Sequence, residues 1–483
     1  MSRFWKIVLA LLVVLVAVGA GYYLNWERKV SHGLPIPGAP VSFPLGNVAV
    51  LFTTTNFLVG LETLAKQFAD QVTGLASIWQ FDTQFVAVTH HQDIEAIMSV
   101  TTDRVSASRV QTLMEYVLGK TALISLNGEE WAKYRKVIYA AVSAADFAKM
   151  VPDIIRQVDA TATFFSESGR QLDAAPYVRN MAFKIIGTNV YNRPLTGVNN
   201  GTEAAVTLML TELVRRTSGA NPLDVMFWVP TEENKALSHS RDLFHNDIKA
   251  ELKNRQGRFE DVDIHHEDFL KHLLAGKNLS DDEIVDAVSS MVFGSTETYS
   301  AFFATALYVV GANKDVQAKI YDEVKVAFAN YPASFDIKSL PYTHLVVQEL
   351  LRLYPPAPLT QRTLTKDIKV GKGSSTVTIP KGYGIWIPPW VSQRLEANFV
   401  DALKFNPDRF LDKVPPYASI PFSAGPRNCV AAAFAEKLLT VVVARFVFNA
   451  DFDTVATKEP TQFSNGFTEW PENGVPVIFK ARN

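Results

Sequence analysis

Cys429 is the only cysteine among the 483 residues of this sequence, and its surroundings favour metal binding. It lies in the stretch PFSAGPRNCVAAAFAEKLL, between a Gly-Pro-Arg turn and an alanine-rich run that predicts a helix. Arg427 brings a cation, and the N-terminal dipole of the predicted helix favours a nearby anion, so this segment can stabilise a thiolate. The alanines at 431–433 leave room for a flat, bulky group. The alternative is a buried cysteine that packs as a small hydrophobe.

Two further pairs of residues have spacings that suit ion pairing or carboxylate binding. Glu349 and Arg352 share one face of a predicted helix in ELLR, and Arg409 follows in FNPDRF. Such a pair is usually a surface ion pair, but the residues around ELLR are apolar, which favours mutual pairing in the interior. Trp131 and Arg135 in WAKYR lie one turn apart, so an indole N–H and a guanidinium share a helix face, as carboxylate binding requires. An ordinary amphipathic helix is the alternative for WAKYR.

The longest predicted helix begins after Ser280 and ends near Gly311, with an acid and an alcohol in its middle. Ser280 and Glu283 form a capping box, which marks the start of this helix. Glu297 and Thr298 in GSTETY are poor core residues unless a function uses them. Thr298 can simply bond to a carbonyl one turn earlier, and Glu297 can pair with a cation elsewhere in the chain. The functional interpretation is that Glu297 and Thr298 relay protons.

The spacing of Phe422, Gly425, Arg427 and Cys429 resembles the haem-binding signature of the cytochrome P450 family. Ala431 occupies the position where that signature usually has glycine, which is a small-for-small change. The resemblance implies that Cys429 is the axial thiolate ligand of the iron in haem b, iron protoporphyrin IX. It also implies that Arg427 contacts a haem propionate.

Other segments match the same family in the same order along the chain. Glu349, Arg352 and Arg409 resemble its structural triad. The resemblance also implies which residues hold a haem propionate: Trp131, Arg135 and Arg362, the last in LTQRTLTKDIKV.

The segment GSTETY aligns with the oxygen-activation motif of the family. This resemblance assigns Glu297 and Thr298 as the acid and the alcohol that relay protons. The chain departs from the motif at two places, since Ser295 stands where glycine is usual and Tyr299 where threonine or serine is common.

Composition and periodicity predict the fold class. The chain is 48% hydrophobic, which is ample material for a large core, and its net charge of −2 gives no reason to expect a nucleic-acid partner. Helical periodicity dominates, with strand-like stretches near 78–89 and 375–387. No linker or repeat divides residues 50–483. We therefore predict a mainly α fold with small β-sheets, as a single P450-like, haem-binding catalytic domain over 50–483.

The N-terminus predicts a membrane anchor. Residues 7–24 are an unbroken apolar run of 18 residues, long enough as a helix to span about 27 Å, close to a hydrocarbon core. We assign residues 1–30 to a single-pass transmembrane helix and the proline-rich residues 31–49 to an extended spacer. A secretory signal peptide is the competing interpretation. The location expected from the resemblance is the endoplasmic reticulum, with the catalytic domain in the cytosol.

The resemblance implies a monooxygenase that inserts one oxygen atom from dioxygen into a lipophilic substrate, such as a sterol, fatty acid or terpenoid. The sequence contains no Walker A motif and no GxGxxG on a strand-to-helix turn, so NADPH is expected to act through a partner reductase, with cytochrome b5 as a second candidate donor. Two alternatives stay open. One is a hydroperoxide isomerase or dehydratase of the same fold that needs no external electrons, and the other is a haem-free membrane protein with a structural cysteine.

By analogy with the family, four segments are expected to line the substrate pocket. They are residues 105–124, 208–229, 357–360 and 463–470, which are mixed to apolar in character.

Overall fold

The computed structural model describes residues 3–44, 46–47, 57–70, 72–80, 82–104, 109–191, 201–218, 225–256, 268–329, 331, 335–454, 471 and 474–482. Helices make up most of these residues, as the periodicity predicts. The α-helices are α1 (Arg3–Ser31), α2 (Phe57–Thr63), α3 (His91–Met98), α4 (Arg109–Leu118), α5 (Gly128–Ala144), α6 (Phe147–Ser168), α7 (Ala175–Tyr191), α8 (Thr202–Ser218), α9 (Glu232–Gln256), α10 (Phe269–Gly276), α11 (Asp281–Ala312), α12 (Lys314–Ala327), α13 (Pro341–Leu353), α14 (Pro389–Ser392) and α15 (Ala432–Asn449).

The strands form small sheets at the edges of the helical body. They are β1 (Leu75–Gln80), β2 (Thr83–Val88), β3 (Leu172–Asp173), β4 (Thr360–Thr363), β5 (Ile368–Val370), β6 (Val377–Ile379), β7 (Gly384–Ile387), β8 (Ala450–Thr454) and β9 (Pro476–Ala481). The sheet orders are β1-β2-β7-β4, β3-β9-β8 and β5-β6. The stretch near 78–89 is an antiparallel hairpin in which Ile78 pairs with Phe85. Antiparallel pairing of β4 with β7 places Arg362 opposite Ile385, in the interior of the fold.

Helix α11 runs through the core and confirms the predicted long helix. The Ser280 side chain accepts from the amide of Glu283, and the Glu283 side chain accepts from the amide of Ser280 at 2.6 Å, so the capping box is formed. At 32 residues, the helix is roughly 48 Å long. Most of its residues are buried, because α7, α9 and α15 pack along its length. A helix buried on nearly all sides is a rigid support for the polar residues in its middle.

The N-terminal helix α1 contains the apolar run 7–24. Among the residues with described side chains, no helix is long and apolar enough to cross a membrane. The side chains of residues 3–15, the first part of the run, lie outside that description. The membrane anchor over residues 1–30 stays a prediction.

The proline-rich segment 31–49 contacts the body of the fold where the structure describes it. Ile36 and Ala39 are buried, and Gly38 forms a bridge with Ser77 of β1. The Asn47 side chain donates to the Ala39 carbonyl oxygen at 3.0 Å and accepts from a β1 amide at 2.7 Å. These contacts join the segment to the first sheet, while the division of domains at residue 50 stays a prediction.

Candidate active site

A glycine and a backbone hydrogen bond hold the loop that carries Cys429. Gly425 has a φ of 68°, and a Cβ at this residue would lie 1.9 Å from the carbonyl oxygen of Met98, so no larger residue fits. The amide of Cys429 donates to the carbonyl oxygen of Phe422 at 2.8 Å. Ala431 directly precedes the first residue of α15. The loop therefore presents the thiol close to the N-terminal end of α15.

Cys429 lies in the wall of a large internal cavity. The volume of the cavity is about 370 Å³, within the range of about 300–1,000 Å³ that is usual for small-molecule pockets. The wall also includes Phe422, Ala431 and Thr298, so the accessible surface of the Cys429 side chain faces the cavity. A space of this size accommodates a bound small molecule.

Opposing effects act on the Cys429 thiol. Burial raises its pKa above the ordinary value, while the amide of Ala431 and the guanidinium groups of Arg135 and Arg104 act in the opposite direction. Burial is the larger effect, so the free thiol keeps its proton at neutral pH. A metal ion that binds the sulfur displaces this proton.

Four arginines lie around the Cys429 end of the cavity, and we call them the arginine cluster: Arg104, Arg135, Arg362 and Arg427. Three of them line the cavity directly. Arg362 is fully buried behind the wall, where it donates to the Ser423 hydroxyl at 2.8 Å and the Thr360 hydroxyl at 3.0 Å. Both hydroxyl partners belong to residues of the wall.

Arg427 and Arg135 are tied to the loops that border the cavity. Arg427 donates to the carbonyl oxygens of Leu126 at 2.5 Å and Thr102 at 3.0 Å. Its guanidinium lies 4.9 Å from the ring centroid of Trp131, a cation–π distance. Arg135 donates to the carbonyl oxygen of Asn428 at 2.8 Å. The predicted pair Trp131 and Arg135 thus lies beside both Arg427 and the residue that precedes Cys429.

The arginine cluster is short of negative charge. Burial together with the neighbouring Arg104 and Arg362 lowers the pKa of Arg427 to about 8, and burial together with Arg104 lowers that of Arg362 to about 9. The carboxylate of Asp103 acts on Arg427 in the opposite direction. The Nε atoms of Arg104 and Arg362 are buried without a hydrogen-bond partner in the described parts of the chain. Such unpaired buried donors cost free energy unless a ligand uses them.

The residues of this site fit haem b. A flat tetrapyrrole needs an axial donor, a wide slot and partners for two carboxylates. Cys429 supplies the donor, the cavity supplies the slot, and the arginine cluster supplies cationic donors that lack anions. A bound carboxylate would relieve the repulsion that lowers the pKa values of Arg362 and Arg427.

Glu297 and Thr298 face different surroundings although they are adjacent on α11. Thr298 lies in the cavity wall, and its hydroxyl donates to the Gly294 carbonyl oxygen at 2.7 Å. The carboxylate of Glu297 lies 3.4 Å from the guanidinium of Arg179 on α7. The structure therefore contains both of the local interactions that the sequence allowed: Thr298 bonds to a carbonyl of its own helix, and Glu297 pairs with a cation. The side chain of Arg179 is 34% exposed, so it links the buried Glu297 with solvent.

The predicted structural triad is a closed ionic network. Arg352 donates to Glu349 through two nitrogens at 2.7 and 2.8 Å, and the Arg409 Nε donates to Glu349 at 3.0 Å. Arg352 also donates to the carbonyl oxygens of Gln393 and Ala402 at 2.6 and 2.7 Å. Glu349 and Arg352 are fully buried. The network ties α13 to the segment 393–409, which precedes the Cys429 loop.

The sequence analysis missed Arg104 and the contribution of α7. Arg104 follows TTD in a segment without helical or strand periodicity, so no spacing pointed to it. Three residues of α7 line the cavity, Ile186, Asn189 and Val190. Of the four segments expected around the substrate, residues of 105–124 and 357–360 lie in the wall, and none of the described residues of 208–229 does. Residues 463–470 lie outside the described residues.

Comparison with known proteins identifies the family. The cytochrome P450 family model matches residues 38–475. Cytochrome P450 4c21 of Blattella germanica is 28% identical and covers 98% of both chains. Probable cytochrome P450 4aa1 of Drosophila melanogaster is 25% identical over 99% of this chain and 96% of its own, and human cytochrome P450 3A7 is 25% identical over 95% and 94%. The chain therefore belongs to the cytochrome P450 family, and it is an oxidoreductase of the monooxygenase type.

Proposed function

We propose that this enzyme is a membrane-anchored haem-thiolate monooxygenase that inserts one oxygen atom from dioxygen into a lipophilic substrate, with electrons from NADPH delivered by a partner reductase. The observation that carries the proposal is the position of the only cysteine, on a rigid loop in the wall of a large cavity and beside an arginine cluster short of anions. Haem b supplies the oxygen-activating chemistry when bound.

Cys429 is the proposed axial ligand of the haem iron. Arg104 and Arg362 offer unpartnered buried Nε donors to the propionates, and Arg427 offers a guanidinium beside them. Trp131 and Arg135 complete this end of the site. The Phe422 ring and the small Ala431 border the space for the macrocycle, and Gly425 keeps the ligand loop in its conformation.

Thr298 and Glu297 are the proposed proton carriers. The Thr298 hydroxyl already donates to a backbone carbonyl, so its oxygen can accept a hydrogen bond from the cavity side. Glu297 exchanges protons with solvent on the side of Arg179, which is partly exposed. Their different surroundings suit a relay with one member at the cavity and the other toward solvent.

The proposed partners are based on the missing nucleotide-binding motifs of the sequence and on two exposed lysines. Its sequence has no nicotinamide or flavin motif, so a cytochrome P450 reductase, with cytochrome b5 as a second donor, is the proposed electron source. Lys133 and Lys136 are exposed on α5, the helix that carries Arg135, and they offer positive charge to an acidic partner. The apolar run 7–24 is the proposed anchor, and the endoplasmic reticulum is the proposed location.

The carbon monoxide difference spectrum of the reduced holoprotein tests this function. Thiolate ligation predicts a strongly red-shifted band in the wild type and its loss in Cys429→Ser. An unchanged spectrum in the variant would exclude Cys429 as the ligand. Turnover that requires NADPH and a reductase supports a monooxygenase, whereas turnover of a hydroperoxide without either supports the isomerase alternative.

A further inference from the structure

Three aliphatic hydroxyls of α11 lie in the cavity wall. They belong to Ser290, Ser295 and Thr298, and they span roughly 12 Å along the helix. A Cβ at Gly294, between them, would meet nothing within 4 Å, so the helix borders open space here. A molecule in the cavity therefore has room to lie against this part of α11.

All three hydroxyls donate back to their own helix. Their bonds are Ser290 to the Asp286 carbonyl at 2.7 Å, Thr298 to the Gly294 carbonyl at 2.7 Å, and Ser295 to the Met291 carbonyl. A carbonyl oxygen only accepts, so in this arrangement each hydroxyl is the donor of its bond. What the hydroxyls present to the cavity is their lone pairs.

Two other polar side chains of the wall, Tyr299 on α11 and Asn189 on α7, can also donate hydrogen bonds. Burial raises the pKa of Tyr299, and the nearby Cys429 adds to this effect, so the phenol lies toward the Cys429 end of the cavity. Asn189 of α7 donates to the Ile185 carbonyl oxygen at 2.6 Å and keeps both a second N–H and an acceptor oxygen. Apolar residues of the cavity wall include Ile186, Val190, Phe269, Ala287 and Met291.

Among the described residues, the charged side chains that line the cavity belong to arginines. No aspartate, glutamate or lysine lines it among the residues that the structure describes, so a cationic substrate finds no counter-ion. The cationic side chains of the wall belong to the arginine cluster, whose proposed partners are the haem propionates. A substrate carboxylate near α11 would face acceptor lone pairs, which repel it.

We infer that the substrate is a neutral, mainly apolar alcohol whose hydroxyl donates to Ser290 or Ser295. This inference rests on the proposed function and adds a substrate class to it. Burying a donor in an apolar pocket is unfavourable unless it finds an acceptor, and these two serines supply acceptors beside open space. Because both serines lie in the cavity wall, they are the proposed specificity-determining residues.

Binding of matched probes to the holoenzyme tests the inference. Octanol, dodecanol and hexadecanol are titrated beside their methyl ethers and the corresponding carboxylates at pH 8, with affinity measured by calorimetry. We expect the best alcohol to bind about fivefold more tightly than its ether, since one hydrogen bond is at stake, and the carboxylate to bind most weakly. Equal affinity of alcohol and ether, tighter binding of the carboxylate, or no binding of any alcohol overturns the inference.

Variants locate the acceptor. Ser290→Ala or Ser295→Ala is expected to lower alcohol affinity about fivefold and leave ether affinity unchanged. Ser289→Ala is the matched control, because Ser289 is fully buried on the same helix and does not lie in the cavity wall. Loss of the alcohol preference in the control alone, or in none of the variants, excludes these serines. A normal thiolate spectrum combined with these failures leaves the proposed function intact, whereas an absent spectrum overturns that function itself.

Discussion

Two groups of buried or partly buried arginines differ in how their charge is balanced. In the structural triad, Arg352 and Arg409 share the carboxylate of Glu349, and their other nitrogens donate to backbone carbonyl oxygens. In the arginine cluster, Asp103 is the acid that opposes the lowered pKa of Arg427, and two Nε atoms lack partners within the described regions. A complete network stabilises the protein itself, whereas an incomplete one offers donors to a ligand.

The largest expected effect comes from breaking the complete network. Glu349→Gln leaves two buried guanidinium groups without their carboxylate, and we expect a loss of about 3–5 kcal/mol in the free energy of unfolding. Asp322→Asn is the control, because the Asp322–Lys325 pair is mostly exposed and should change stability by about 0.5 kcal/mol or less. Chemical denaturation of both variants measures the difference. Equal losses would mean that burial does not distinguish the two networks.

The opposite outcome is expected in the arginine cluster. Arg104→Met removes an unpartnered buried donor, so the haem-free protein should not lose stability, while haem loss should accelerate about ten- to hundredfold as a charge-assisted bond to a propionate disappears. Haem transfer to apomyoglobin measures the rate. Arg156→Met, which removes an exposed guanidinium on α6, should leave it unchanged. A destabilised haem-free protein with normal haem retention would make Arg104 structural.

Local sequence patterns predicted the elements whose stabilising contacts join residues close together in the sequence. The capping box and the apolar content predicted α11 to within about one residue, because both ends of a helix depend on nearby residues. ELLR predicted the pairing of Glu349 with Arg352, since both side chains lie on one helix face. The Gly-Pro-Arg turn predicted before Cys429 is also present, with Gly425 at a φ of 68°.

Long-range contacts were beyond such patterns. Arg104 reaches the arginine cluster because its segment folds back against the Cys429 loop, more than three hundred residues away in sequence. Arg179 meets Glu297 only because α7 packs along α11. The prolines of the segment 31–49 predict a spacer, and they do not reveal that the Asn47 side chain accepts from an amide of β1. In each case tertiary packing, rather than local periodicity, determines the partner.

A basic group can also be buried in its uncharged form, and His245 on α9 is an example. Burial and the neighbouring Arg241 lower its pKa to about 4, from 6.5, and its Nε2 has no hydrogen-bond partner among the described atoms. The unfolded chain binds a proton there at higher pH than the folded chain, so stability falls as the pH drops from about 6.5 toward about 4.

This loss should reach about 2 kcal/mol between pH 7.5 and pH 5. His245→Gln removes the titration and should flatten this part of the stability profile, while acidic groups elsewhere contribute equally to both proteins. Denaturation at a series of pH values measures the difference. Parallel profiles would show that His245 is as accessible to protons in the folded protein as in the unfolded chain.

The pair Arg179–Glu297 lies between these extremes, because the acid is buried and the base is partly exposed. Removal of Glu297 leaves a guanidinium that water can solvate, so the coupling should be smaller than in the triad, about 1 kcal/mol. A double-mutant cycle with Arg179→Ala and Glu297→Gln in the holoenzyme measures it. A coupling near zero would mean that Arg179 does not hold the carboxylate, and one as large as the triad's would mean that solvent does not reach the pair. An intermediate value leaves the acid fixed at α7 yet open to proton exchange, which is the combination that a relay to Thr298 requires.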